Sequence, residues 1–217
     1  MNSVVVRTVV SLLLLALVGA ADARSRHHRG GGESPAAEPG NFDYYLLALS
    51  WSPEFCATPA GQRPDKKEQC DHPRGFVVHG LWPQNERGHP EDCGPADHVP
   101  AAAAAPALTA DPPMPPGDPG LLDHEWSKHG TCSGLDMPGY FRTIKSAAER
   151  VKIPGEFRQA QRISGADPEA IKAGFVAANP GLAGDMLQVI ADRQGDLKEV
   201  RVCFDKEIRF RSCARPR

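Results

Sequence analysis

The stretch "FDYYLLALSW", residues 42–51, is almost continuously aromatic and aliphatic and stops at Ser52-Pro53. That composition predicts a buried β-strand. "GFVVHGLWP" predicts a second, shorter strand over Phe76–His79 that ends at Gly80. Farther on the period changes. In "YFRTIKSAAERV" the apolar positions Tyr140, Phe141, Ile144, Ala147, Ala148 and Val151 recur at helical spacing, before Pro154-Gly155 ends the run. "DPEAIKAGFVAANPG" predicts another helix, with Asp167 as cap, Pro168 in the first turn and a stop at Asn179-Pro180-Gly181. Alternation then returns. "MLQVIADRQGDLKEVRVCFD" alternates on both sides of Gln194-Gly195, with Val200, Val202 and Phe204 on one face, which predicts a β-hairpin. "IRFRSC" predicts a last short strand. Between Cys93 and Leu121 lies "VPAAAAAPALTADPPMPPGDPG", whose prolines argue for a surface excursion without long regular structure. These elements together predict an α+β domain with an antiparallel sheet and several helices.

The N-terminal pattern belongs to no fold element. Arg7 precedes an apolar run, Val9–Val18, and small residues follow up to Ala21-x-Ala23. This is the outline of a secretory signal peptide over residues 1–23. The run is too short for ~30 Å of hydrocarbon, which argues against a membrane anchor. Residues 24–40, "RSRHHRGGGESPAAEPG", are Gly-, Pro- and charge-rich and read as a disordered lead-in, with His27 and His28 incidental to it. Residues 41–217 remain as a single domain, since 217 residues support one ordinary core rather than two.

Export changes how the cysteines read. There are six, Cys56, Cys70, Cys93, Cys132, Cys203 and Cys213, with no Cys-x-x-Cys pair. An even count in an exported chain favours disulfides over a zinc site, and six cysteines allow 15 pairings that spacing alone does not separate. The net charge of −2 excludes a protein that holds duplex nucleic acid by bulk electrostatics. The basic tail from Arg193 to Arg217 alternates in sign and reads as a solvated face.

The concentrated chemistry lies in "LLDHEWSKHGTC", residues 121–132. On a helix, His124, Glu125, Lys128 and His129 fall within an arc of about 140°, and Trp126 points the other way, toward a core. A zinc helix of the protease kind needs histidines four apart. Here they are five apart with Lys128 between them, a cation unsuited to the neighbourhood of a divalent ion. A metal-free reading uses the same residues differently. Two histidines can serve as acid and base near mild pH, and a lysine with a third histidine can meet phosphate charge. The second working histidine must come from elsewhere, and His79 in "FVVHGLWPQ" is available, either as a satisfied core histidine or as a residue facing a cleft.

"FVVHGLWPQ" and "HEWSKHGTC", in that order and separation, resemble the two active-site segments of the ribonuclease T2 family, the secreted metal-independent acid ribonucleases. "LLALSWSPEFC" resembles that family's first strand, and "EVRVCFD" with Cys213 resembles its final cysteine pair, so the similarity runs from about Phe42 to Cys213. The resemblance implies His129 as general base on the ribose 2′-hydroxyl and His79 as general acid to the 5′-oxygen. It implies His124 as a phosphate-binding residue, Glu125 and Lys128 as transition-state stabilisers, and Trp82 as a base contact. It also implies the pairs Cys56–Cys70, Cys93–Cys132 and Cys203–Cys213. The function implied is an exported endoribonuclease, periplasmic or secreted. It would cleave single-stranded RNA and not DNA, through a 2′,3′-cyclic phosphate, with neither metal nor cofactor. No membrane contact is expected after signal removal, and a monomer is expected. Two departures are visible: Leu122-Asp123 replaces an aromatic frequent in relatives, and the Ala/Pro-rich excursion lacks the helix of longer eukaryotic members, so base contacts from that region do not carry over. The rival readings are a catalytically silent RNA-binding or signalling protein on the same scaffold and a metal-dependent hydrolase.

Overall fold

A computed structural model describes residues 38–72 and 74–214. The expected signal peptide and most of the lead-in, His27 and His28 included, lie outside them. β1 (Tyr44–Trp51) pairs antiparallel with β2 (Phe76–Gln84) on one side and with β4 (Leu197–Phe204) on the other. β3 (Leu187–Ala191) completes the order β2-β1-β4-β3 through the predicted hairpin, whose turn uses Gly195 at φ 86°. Period-two alternation sorts β1 into two faces. Tyr45, Leu47, Leu49 and Trp51 enter the main core, while Tyr44, Leu46 and Ala48 form a smaller cluster with Cys203 on the opposite face.

Among the described residues six α-helices accompany the sheet: α1 (Ser52–Ala57), α2 (Lys67–Cys70), α3 (Ala101–Leu108), α4 (Pro119–Lys128), α5 (Met137–Arg150) and α6 (Pro168–Ala178). Leu122 and Trp126 of α4, Phe141 and Ile144 of α5, and Phe175 of α6 fill the core against the sheet. The three longest start alike. Asp118, Asp136 and Asp167 accept hydrogen bonds from the N–H groups of Leu121, Gly139 and Glu169, with a proline in the first turn, where its missing N–H costs nothing.

The α+β class agrees with the sequence pattern, and three local expectations need correction. β2 does not end at Gly80 but continues to Gln84, because it is the edge strand, where Pro83 breaks no ladder. Ser52-Pro53 stops β1 as expected, and the same residues open α1. The Ala/Pro stretch does contain regular structure: five successive alanines, the best helix formers, start α3, and Ala104 and Ala107 pack fully buried, with α3 lying on α5. Pro106 removes a hydrogen bond only near the helix end. The expected last strand reduces to one bridge between Phe204 and Phe210, because Ile208 sits at φ 59° and breaks the extended run. Disulfides join Cys56 to Cys70, Cys93 to Cys132 and Cys203 to Cys213.

Candidate active site

A bulge in β2 creates the site. Ala48 pairs with Gly80 and Leu49 with Val78, so His79 is an extra residue in its strand. The bulge shifts the strand's parity: Val78 and Leu81 point into the core, whereas His79 and Trp82 share the opposite face. Gly80 must be glycine here, since a Cβ would overlap the Glu125 carboxylate and the Trp82 Nε1 atom.

α4 brings the second half. Its apolar side, Leu122 and Trp126, is anchored in the core, which fixes the rotation that aims Glu125 and His129 at β2. Glu125 is fully buried. Its Oε2 accepts from Trp82 Nε1 at 2.9 Å, and its Oε1, 3.6 Å from His79 Nε2, has no hydrogen-bond partner. Burial pushes the Glu125 carboxyl up to about 7, against the charge of His79 and the Trp82 N–H. The Trp82 ring lies 5.3 Å from that of His79 and 5.2 Å from that of His129.

The two histidines are biased in opposite senses. His129, at the C-terminal cap of α4, is only 7% exposed, and its Nδ1 is buried without a partner. Burial, then the neighbouring His124, lowers its pKa to about 3, with Lys128 and His79 acting the same way. His79 is partly open to solvent. Burial pulls its pKa down, but a 3.3 Å contact with Glu199 and the charges of Glu125 and Glu199 outweigh this and raise it. His124 is exposed, its ring 6.2 Å from His129, and its pKa is lowered by partial burial and by the positive charges of His79 and Lys128. A cleft of about 560 Å³ opens beside His79 and His124, bordered by Ser50, Phe55 and Leu121.

Lys128 is placed less simply. Its Nζ lies 2.7 Å from Glu91 and 3.9 Å from Asp92, on the loop tied down by Cys93–Cys132. An anion arriving at Lys128 therefore competes with Glu91. The metal question also changes in three dimensions. Donor atoms of His124, Glu125 and His129 come within 4.8 Å of one another despite the five-residue spacing of the histidines.

Glu199 and Arg201 escaped the sequence reading. Glu199, 3% exposed on β4, bonds both His79 and Arg201, the latter at 2.6 Å, and Arg201 lies 5.2 Å from the Trp82 ring centre. The signal was present in "EVRVCF": if Val200, Val202 and Phe204 face the core, Glu199 and Arg201 must face the other side of the sheet.

Trp82 thus has a bond to lose as well as a ring. Trp82→Phe keeps an aromatic surface but leaves a buried carboxylate without its donor. It should destabilise the fold by about 1–3 kcal/mol. Denaturant unfolding reads this, and unchanged stability would show that the indole N–H does not hold Glu125.

The family model described as the Ribonuclease T2 family matches residues 42–213. The ribonuclease of Aeromonas hydrophila is 35% identical over 179 residues, covering 78% of this chain and 75% of that protein. Ribonuclease DdI of Dictyostelium discoideum is 30% identical over 189 residues, covering 79% and 77%. Among solved structures, ribonuclease MC1 from bitter gourd seeds superposes with a TM-score of 0.56 at 24% identity, covering 79% of this chain and 94% of that one. At that identity the likeness is one of fold.

Proposed function

The chain belongs to the ribonuclease T2 family, and from that premise we propose an exported endoribonuclease that cleaves single-stranded RNA by transphosphorylation, using its histidines as base and acid. The observation that carries the mechanism is the opposite surroundings of the two rings: His129 is 7% exposed, whereas His79 is open to the cleft with Glu199 at 3.3 Å and Glu125 at 3.6 Å, which favours a neutral His129 and a protonated His79.

Neutral His129 takes the proton of the ribose 2′-hydroxyl, whose oxygen attacks the adjacent phosphorus. The bond to the 5′-oxygen breaks, and protonated His79 delivers its proton to that leaving oxygen. The products are a 2′,3′-cyclic phosphate and a 5′-hydroxyl. The nucleophile already lies beside phosphorus within the substrate, so attack is intramolecular. His124 and Lys128 meet phosphate charge, with Lys128 exchanging Glu91 for the substrate. Glu125, with its carboxyl near neutrality, holds or shares a proton beside the reacting phosphate. Trp82 positions Glu125 and offers ring surface to a base. Three disulfides and the N-terminal apolar run suit an exported protein. Among the described residues no helix is long and apolar enough to cross a membrane.

RNA treated with purified protein in excess chelator should yield early products with 2′,3′-cyclic ends, seen by mass spectrometry, while the matching DNA stays intact and a single 2′-deoxy substitution protects its own linkage. Cleavage of that DNA, or early products bearing only 5′-phosphates, would refute the mechanism. Activity lost in chelator and restored by zinc would instead favour a metal on His124, Glu125 and His129.

A further inference from the structure

A second cleft, of about 620 Å³, lies on the same sheet edge but contains none of the site histidines. β2 is the edge strand, and the segment following α3 runs along it, with Val78 N–H donating to Pro113 O at 2.9 Å. Pro112 and Pro113 wall the second cleft, Pro115 walls the cleft beside His79, and Val77 borders both. The two are therefore neighbours across the width of one extended segment. Phe76 faces the core and His79 the opposite side of the sheet, three residues or about 10 Å farther along the strand, so a flanking strand of a few nucleotides reaches the second cleft by crossing the segment at the sheet edge.

The second cleft pairs an apolar floor, Phe76, Val151 and Phe157, with a cationic rim of Arg74, Lys152 and Arg158. Among the described residues none of these three cations has a carboxylate partner, and Arg74 Nε is buried with no acceptor at all. Arg74 therefore brings to the edge of an open cleft a donor that no protein acceptor engages. Glu149, also on the rim, is neutralised by Lys145 at 2.6 Å, which leaves Asp111 as the opposing charge.

We propose that this cleft is a backbone subsite for the RNA strand flanking the cleaved dinucleotide, with Arg74 and Lys152 receiving a phosphodiester. The assignment rests on the proposed ribonuclease function. The floor displays little that could read a base edge, so the subsite adds affinity for longer strands rather than sequence preference.

Two substrates test it: a dinucleotide, and a DNA decamer carrying one ribonucleotide, so that a single linkage can be cleaved. Arg74→Gln and Lys152→Gln should each lower kcat/KM on the decamer several-fold, on the order of tenfold at low salt. Each should reduce the salt slope of log kcat/KM by about 0.7, as expected for one lost single-strand phosphate contact. The dinucleotide should be unaffected. Equal losses on both substrates, or no loss on the decamer, would overturn the subsite while leaving the nuclease reading intact. Lys152 is exposed, so its variant keeps the test open if Arg74→Gln fails to fold. If the wild type cleaves neither substrate, the nuclease reading fails first. The subsite is then judged by anisotropy of a labelled 2′-O-methyl decamer, whose binding Arg74→Gln must weaken.

Discussion

His129→Ala is expected to lower the rate of RNA cleavage by about 10²- to 10⁴-fold with the fold retained, and His79→Ala to do the same, the usual contribution of one general base or acid. The reason lies in what surrounds each ring. His129 is withdrawn from water and faces positive neighbours, so it is a proton acceptor across the whole mildly acidic range. His79 lies between Glu125 and Glu199, so it keeps its proton to higher pH than a free imidazole. The pH profile follows with its signs. Activity rises with pH as His129 loses its proton, with that pKa lowered to about 3. It falls with pH as His79 loses its proton, with that pKa raised above the ordinary 6.5. The optimum is therefore a broad maximum on the acid side of neutrality. Its alkaline limb belongs to the coupled His79–Glu125 pair rather than to either group. Steady-state rates from pH 3 to pH 9, with circular dichroism on each variant, read both effects. A folded His129→Ala protein with near-normal activity would remove this residue from the mechanism.

The joint replacement Cys93→Ala/Cys132→Ala should cost the most stability of any single disulfide removal. The bridge closes a 39-residue separation, against 14 for Cys56–Cys70 and 10 for Cys203–Cys213. The chain-entropy argument then assigns it about 3–4 kcal/mol, a fall in Tm on the order of 10 °C for a domain of this size. The effect should reach the site as well. The bridge holds the loop in which Asp92 N–H donates to Lys128 O and Cys93 N–H to Thr131 Oγ1, and that loop carries Glu91 to Lys128. Thermal unfolding of the three double-alanine variants ranks them. A smaller shift here than for the Cys203–Cys213 variant would show that loop length does not govern stabilisation in this fold.

The elements most legible in the sequence are those whose signal is local. α6 reads directly from Asp167-Pro168 at one end and Asn179-Pro180-Gly181 at the other, because caps act on backbone groups within one turn. The β3–β4 hairpin reads from alternation around Gly195. α3 was hidden because its prolines carry a strong local breaking signal. The burial of Ala104 and Ala107 against α5, which offsets it, depends on a helix more than thirty residues away. The full length of β2 is not legible for a related reason: Pro83 is tolerated because β2 is an edge strand, and edge position belongs to the sheet order.

Within the site, the residue types and their two segments were determined by the sequence alone, including the rotation of α4 that puts Trp126 on one side and Glu125 with His129 on another. Their working state was decided only by the tertiary structure. Alternation along an isolated β2 could not reveal the bulge at His79, because its extra residue shows only against the register of β1. Nor could a segment of sequence show that Glu125 is sealed under Gly80 and Trp82, that Glu199 arrives from a strand 120 residues away to hold His79, or that Lys128 rests on Glu91. Side-chain type and helical phase are properties of neighbouring residues. Desolvation and charge pairing depend on which distant segments meet, and those two terms set the protonation of His79, Glu125 and His129.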